Sequence, residues 1–319
     1  MSASATSRRL PASSGARWFY ALKPARWPKL VVPALVGQLI GAASAGELSL
    51  PALAWGLAFT AFGLAFIVLL NDWGDRRVDA LKREMFPDGC STKTIPDCIL
   101  SSRAVGLAGV FCGIATALIA AGAERSLGRP WAFDAGLACM LVFVAYTLPP
   151  LRLNYRGGGE ALEMFGVGLA LPLFNVYLQA GRVVPEAWPW VGGFALLSLA
   201  SGVASGLSDE QSDRAGGKRT FASTFGNRAA RRFTEISVVL GALTWVVGAI
   251  LKPDWMPGWV VAAAILIVAW NFASMRRVSR EAVTNAFRSQ GSYKHFLHRA
   301  IWHSTTVAAV LLWLQSRFG

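Results

Sequence analysis

The feature that most limits what this chain can become is a series of long apolar runs. They begin near Leu30, Leu50, Ala104, Trp131, Glu160, Ala187, Glu235, Met256 and Arg299. Each is about 20 residues long, the length an α-helix needs to cross a hydrocarbon layer of roughly 30 Å. Polar residues are sparse all round these runs, so none resembles the one-sided stripe of a soluble surface helix. Lipid offers no partner to an exposed backbone N–H or C=O, which leaves the helix as the economical conformation. With 15% charged residues and a mean hydropathy of +0.44, the chain is expected to be an all-α, polytopic membrane protein of about nine transmembrane helices.

A formal net charge of +13 in a soluble protein would point to nucleic acid. Here the charge follows the connections instead. Of the 31 Lys and Arg residues, 26 lie before the first run or in the connections after even-numbered runs; the remaining five are Arg125, Arg129, Arg182, Lys252 and Arg317. The positive-inside rule then places the N-terminus and the even connections in the cytoplasm, and the alternation holds through nine spans. This predicts a multi-pass protein of the cytoplasmic membrane, with the bilayer and not nucleic acid as its large partner.

Residues 1–27 read as a cytoplasmic tail and 28–319 as a single transmembrane domain. The first 17 residues are rich in Ser and Ala and lack acids, a composition shared by a short disordered tail and a transit peptide. Cys90, Cys98, Cys112 and Cys139 have no C-x-x-C spacing and read as reduced thiols or small apolar fillers.

Two cytoplasmic connections are long, Asn71 to Arg103 and Ser208 to Phe233, and each opens on acids. Asp72, Asp75 and Asp79 fall at i, i+3 and i+7, and Asn71 joins Asp75 and Asp79 at i, i+4 and i+8, so a helix continuing out of the second span would carry them on one face. Asp209 and Asp213 are spaced i, i+4 four spans later, as a duplicated four-helix unit plus a ninth helix would give. Stacked like charges at a membrane boundary repel and call for a cation between them. Hard oxygens in this number suit Mg²⁺, which binds through one or two carboxylates together with substrate phosphates, and a diphosphate is the natural third party. Ordinary loop acids paired with Arg76, Arg77 and Arg214 are the plainer alternative for either cluster alone. Gly216-Gly-Lys-Arg-Thr220 then adds two cations on a flexible backbone.

Asn71-Asp72-x-x-Asp75-x-x-x-Asp79 and Asp209-x-x-x-Asp213-x-x-x-Gly217-Lys218-x-Thr220 resemble the two motifs of the UbiA superfamily of membrane-embedded aromatic prenyltransferases. The likeness continues through Lys23-Pro24, Tyr146-Thr-Leu-Pro-Pro-Leu-Arg152 and Gly159-Glu160, and covers nearly the whole chain. Pro149 to Arg156 and Asp213 to Thr220 look most like the branch that prenylates dihydroxynaphthoate in menaquinone biosynthesis, while the connection Asp79 to Asp97 is longer than that branch leads one to expect. The resemblance implies a nine-helix bundle around a lipid-open cavity, a prenyl diphosphate held by two Mg²⁺, and transfer of the prenyl group to a small aromatic acceptor. It assigns Asn71, Asp72 and Asp75 to one ion and Asp209 and Asp213 to the other. Lys218 and Arg152 become diphosphate contacts. Tyr146 faces the diphosphate or the nascent cation, or is an interfacial aromatic. Asp79 reaches a metal through water, orients the acceptor, or pairs with Arg76 or Arg83.

Asn175 and Gln179, i, i+4 in the fifth span, either line the acceptor pocket or bond neighbouring helices, and Asn271 in the eighth poses the same choice. His295, His298 and His303 lack accompanying acids and read as interfacial residues rather than a metal site. Trp131, Trp188, Trp190, Trp255 and Trp259 read as an aromatic belt at the outer ends of spans. The same diphosphate site could serve another acceptor or a terpene cyclase. A cation channel or transporter would need acids at several depths, whereas these sit at one face.

Overall fold

The computed structural model describes Pro11 and residues 13–318. Among the described residues nine long helices dominate: α1 Pro28–Ala45, α2 Leu50–Met85, α3 Ser102–Leu127, α4 Ala132–Thr147, α5 Gly159–Ala180, α6 Ala187–Ser205, α7 Asn227–Leu251, α8 Gly258–Ser279 and α9 Phe287–Phe318. Seven of them, all but α4 and α9, are long and apolar enough to cross a membrane. The other two still run between the same two faces of the bundle. Thr147, ending α4, lies 3.5 Å from Asn71. Lys294 near the start of α9 donates to Ser208 (2.8 Å), and Arg317 near its end donates to Gly46 O (3.4 Å) after α1.

Local chemistry sets the ends. Ser49 and Ser101 cap α2 and α3 by accepting from Ala52 N and Ala104 N. Gly46, Gly128 and Gly181 end α1, α3 and α5 with positive φ, the conformation glycine adopts without a Cβ clash. Helix α7 begins at Asn227 rather than near Glu235, and α9 at Phe287 rather than near Arg299. The apolar run marks the part of the helix suited to lipid, but Arg228, Arg231 and Arg232, like Arg288 and Lys294, are good helix formers and carry the helix past it.

Helix α6 is the central column, with 72% of its apolar window buried. Small residues bring helices close. A Cβ on Gly41 of α1 would stand 2.7 Å from Val176 O on α5, and one on Gly37 would overlap Pro172 O, so α1 and α5 nearly touch backbone to backbone. Outward faces remain apolar and open, as at Leu107, Phe111 and Leu118 on α3 and Leu266 and Trp270 on α8, which suits contact with lipid tails. The chain is an integral membrane protein. Trp131, Trp188 and Trp259 are exposed as a belt requires, but Trp190 is not: it is buried, donates to Trp255 O (3.0 Å) and accepts from Trp245 Nε1 (3.0 Å). Its indole fills the α6–α7 seam because a buried N–H found a carbonyl there.

All the connections expected on one side meet on one side. Arg152 reaches Gly74 O (2.8 Å), Arg219 N reaches Tyr155 O (3.3 Å), and Thr284 Oγ1 reaches Glu210 (2.8 Å). Arg129, Arg182 and Arg317, expected on the other side, contact Leu178 O, Ser44 and Gly46 at the opposite end.

Candidate active site

The two acidic motifs are built differently. α2 continues unbroken to Met85, so Asn71, Asp72, Asp75 and Asp79 do ride on one helix beyond its apolar part. α6 instead ends at Ser205, tightens into a short turn, and restarts as Glu210–Ala215 with Asp209 at its N-cap position and Asp213 inside. This short helix packs against α2, which brings the motifs together.

Lysines occupy the space between the acids. Lys23 pairs with Asp72 and Lys82 with Asp209, Lys93 Nζ lies 2.5 Å from Asp79, and Lys218 Nζ lies 2.8 Å from Asp75 Oδ2. Thr94 Oγ1 donates to the second oxygen of Asp72 (2.7 Å) and Asn71 Nδ2 to Asp75 (3.5 Å). Among the described residues, no three His, Cys, Asp or Glu side chains form a ready-made metal cage. Mutual repulsion of the carboxylates is relieved in this structure by amines. Asp79 takes Lys93 rather than Arg76 or Arg83, because residues 86–101 fold back over the motif. Arg76 lies over Trp73 and Arg83 pairs with Asp97 (2.8 Å).

The neutralisation is uneven. Asp75 Oδ1 is buried without a partner. Asp213 is pushed up to about 7 by burial and by the charges of Asp209 and Asp75, against the pull of Lys218. Burial would also raise Asp209, but Lys82, Lys93 and Lys294 outweigh it and hold that carboxyl below the usual range. Lys218 is raised despite its burial because Asp75 and Asp213 both favour its charge. An orphaned carboxylate oxygen and a second acid strained by like charges are the donor chemistry that a hard divalent cation completes, so Asn71, Asp72, Asp75, Asp209 and Asp213 fit Mg²⁺.

Beside these pairs a cavity of about 210 Å³ opens into the bundle. Arg26, Lys29, Asn71, Tyr146 and Glu163 stand at the acidic end, and Phe66, Val68, Phe143 and Leu171 form apolar walls leading to Phe59, Thr60 and Thr116. From Asn71 to Phe59 along α2 is about 18 Å at 1.5 Å per residue. Phe66, Phe143 and Tyr146, all lining the cavity, form a ladder of ring contacts with centroids 5.1 and 6.3 Å apart.

A sequence model described as the UbiA prenyltransferase family matches residues 30–313. The chain belongs to the UbiA prenyltransferase family. A UbiA homologue from Archaeoglobus fulgidus bound to GPP and Mg²⁺ shares the fold, with a TM-score of 0.66 and 16% identity, over 91% of this chain and 99% of that one. In sequence, the chain is 28% identical over 172 residues to the lycopene elongase/hydratase of Corynebacterium glutamicum, covering 54% of this chain and 55% of that protein. It is 26% identical over 121 residues to the 1,4-dihydroxy-2-naphthoate octaprenyltransferase of Bacillus subtilis, covering 38% and 39%. The chain thus spans about half the length, or less, of these curated relatives.

Other expected site residues fall variously within this UbiA fold. Tyr146 lines the cavity. Arg152 does not line it but lies over the Tyr155 ring (3.6 Å), which also lies under Lys218 (5.4 Å). Asn175 and Gln179 are buried away from the cavity: Gln38 Nε2 donates to Asn175 Oδ1 (2.9 Å), and the Gln179 amide, turned to satisfy both ends, bonds Gln38 and the Ser49 backbone. They tie α1 to α5, because a buried amide in a bundle must find another polar group. Asn271 bonds its own helix at Ile267 O (2.9 Å). His298 stacks on Trp302 and contacts Ser201 (3.3 Å).

Sequence reasoning missed Lys82, Lys93, Thr94 and Tyr155 as parts of the site. Lys82 had a signal, since it extends the Asp75–Asp79 face by i+7 and i+3. Lys93 and Thr94 had none, because a connection without periodicity does not say where it folds back.

Proposed function

We propose that this protein transfers a prenyl group from a prenyl diphosphate to a small aromatic acceptor in the bilayer, with Mg²⁺ as cofactor. The observation that carries this is an apolar, ring-lined cavity that reaches Asn71, which lies 3.5 Å from Asp75, the acid that Lys218 of the second motif pairs with. Asn71, Asp72 and Asp75 would hold one Mg²⁺ and Asp209 and Asp213 another; the ions would supply positive charge for the diphosphate. Lys218 contacts the departing diphosphate, with Arg152 fixed below it on Tyr155, so that charge developing on the leaving group meets preorganised cations. The tail lies along the apolar walls, which keep water from the allylic cation, while Phe143 and Tyr146 face it. Asp79, held by Lys93, keeps the 86–101 connection against the site.

Motif detail and the Bacillus relative favour a 1,4-dihydroxy-2-naphthoate-like acceptor and a place in menaquinone biosynthesis. The distribution of Lys and Arg favours a cytoplasmic membrane with the acidic motifs inside. A cyclase or an enzyme with another acceptor would use the same diphosphate site, and the Corynebacterium relative is named a lycopene elongase/hydratase. The test is incubation of the purified protein with prenyl diphosphates, Mg²⁺ and a panel of hydroxylated aromatic acids, read by mass spectrometry. Prenylated acceptor that disappears with chelator and returns with Mg²⁺ is expected. Product from the diphosphate alone would replace this assignment with a cyclase.

A further inference from the structure

Two carboxylates stand three residues apart at the start of α5, and only one of them is used to hold the fold. Glu160 Oε1 accepts Phe221 N (2.6 Å), tying α5 to the loop after the second motif. Glu163 instead faces the cavity mouth. Its side chain is 13% exposed, and Lys29 Nζ lies 2.8 Å from Oε1. Helix α6 passes it at Gly202, where a Cβ would stand 3.3 Å from the carboxyl carbon; glycine leaves the acid its space. The groups around it are Lys29 in the first turn of α1 and Arg26 just before that helix, Asn71 from α2, Tyr146 from α4 and Glu160 on its own helix. Tyr146 lines the same cavity as this acid.

An ionisable group at this depth is expensive to keep unless it is paired or used. Lys29 pairs with its charge but does not account for its place on the cavity wall.

We infer that Glu163 is the proton acceptor of the prenyl transfer proposed above, on which this inference rests. The bond between the allylic carbon and the diphosphate oxygen breaks, and both electrons leave with diphosphate. A ring carbon of an electron-rich aromatic acceptor gives two π-electrons to the allylic carbon, forming the new C–C bond. The proton on that ring carbon passes to the Glu163 carboxylate, the C–H electrons restore the aromatic ring, and Glu163 returns the proton to water at the mouth. A carboxylate set on the cavity wall can take a proton from an acceptor bound beside it, and a positioned base contributes about 10²- to 10⁴-fold. The inference also selects the acceptor class, one that must lose a carbon-bound proton.

The experiment compares wild type, Glu163→Gln and Glu163→Asp with geranyl diphosphate, Mg²⁺ and 1,4-dihydroxy-2-naphthoate, unlabelled or deuterated at its free ring carbon beside a hydroxyl. Glu163→Gln is expected to be about 10²-fold slower or more, with KM for the diphosphate within a few-fold. It should show a primary isotope effect that wild type lacks, because proton loss becomes limiting. Glu163→Asp should recover part of the rate. Size-exclusion profiles and melting curves check the fold, and if the Gln variant does not fold, the isotope effect on Glu163→Asp decides. No prenylated product from wild type would overturn prenyl transfer to this acceptor and this assignment with it. An active wild type with Glu163→Gln equally fast, or slow without an isotope effect, would overturn the assignment alone and leave Glu163 as the counter-ion of Lys29.

Discussion

The Lys218–Asp75 pair gives the sharpest test of how this site balances its charge. The two groups are 2.8 Å apart with side chains 11% and 9% exposed. At an effective dielectric near 20 they attract by about 6 kcal/mol. Desolvation of both ions offsets most of that, so the intact pair adds little net stability. Removing one partner is different, because the other is left buried and uncompensated at a cost of about 3–5 kcal/mol. Lys218→Met should therefore melt well below wild type, and the Lys218→Met, Asp75→Asn double variant should regain much of the loss. The lysine also stands where a cation is needed, so Mg²⁺ should raise the melting temperature of Lys218→Met more than that of wild type. Thermal unfolding in detergent, with chelator and then with Mg²⁺, reads all three. If Lys218→Met melts with wild type in chelator and gains no more from Mg²⁺, the charge balance described here is wrong.

Asp75→Asn and Asp213→Asn should each lose about 4 kcal/mol of transition-state stabilisation, roughly a thousandfold in rate, and the double variant little more; Glu84→Ala, on the exposed side of α2, should stay within a few-fold. A fast Asp213→Asn enzyme in steady-state assays would move the metal site elsewhere. Because Asp213 is raised to about 7, a proton competes with the cation there, so apparent Mg²⁺ affinity should strengthen as pH rises from about 6 to about 8 and flatten above; titrations at several pH values check this. Gly193→Ala would drive a Cβ into the Trp245 indole and to 2.9 Å from Gly241 O, and should cost about 1–3 kcal/mol, seen as a lower melting temperature with the site chemistry unchanged. Single cysteines at Ala215 and Ser316, both exposed, should label from opposite sides of the membrane in intact cells; labelling from the same side would break the topology.

The helical bundle, which connections share a side, and the two acidic motifs are all legible in the chain alone. Those signals are local: an apolar run is as long as a bilayer is thick, basic residues mark each connection separately, and Asp72, Asp75 and Asp79 share a face by helix periodicity alone. Hydropathy misjudged where α7 and α9 begin, since it reports suitability for lipid and not the end of a helix. Tertiary structure decided everything that depends on which distant residues meet. It placed Lys93 and Thr94 on the acids by folding back residues 86–101, turned Trp190 inward, and removed Asn175 and Gln179 from the cavity to a bond between α1 and α5. It also separated the tasks of Glu160 and Glu163, two acids of equal appearance in the sequence. One meets a backbone N–H and the other a cavity because α6 and the loop after it pass them at different distances, and no pattern within α5 encodes that.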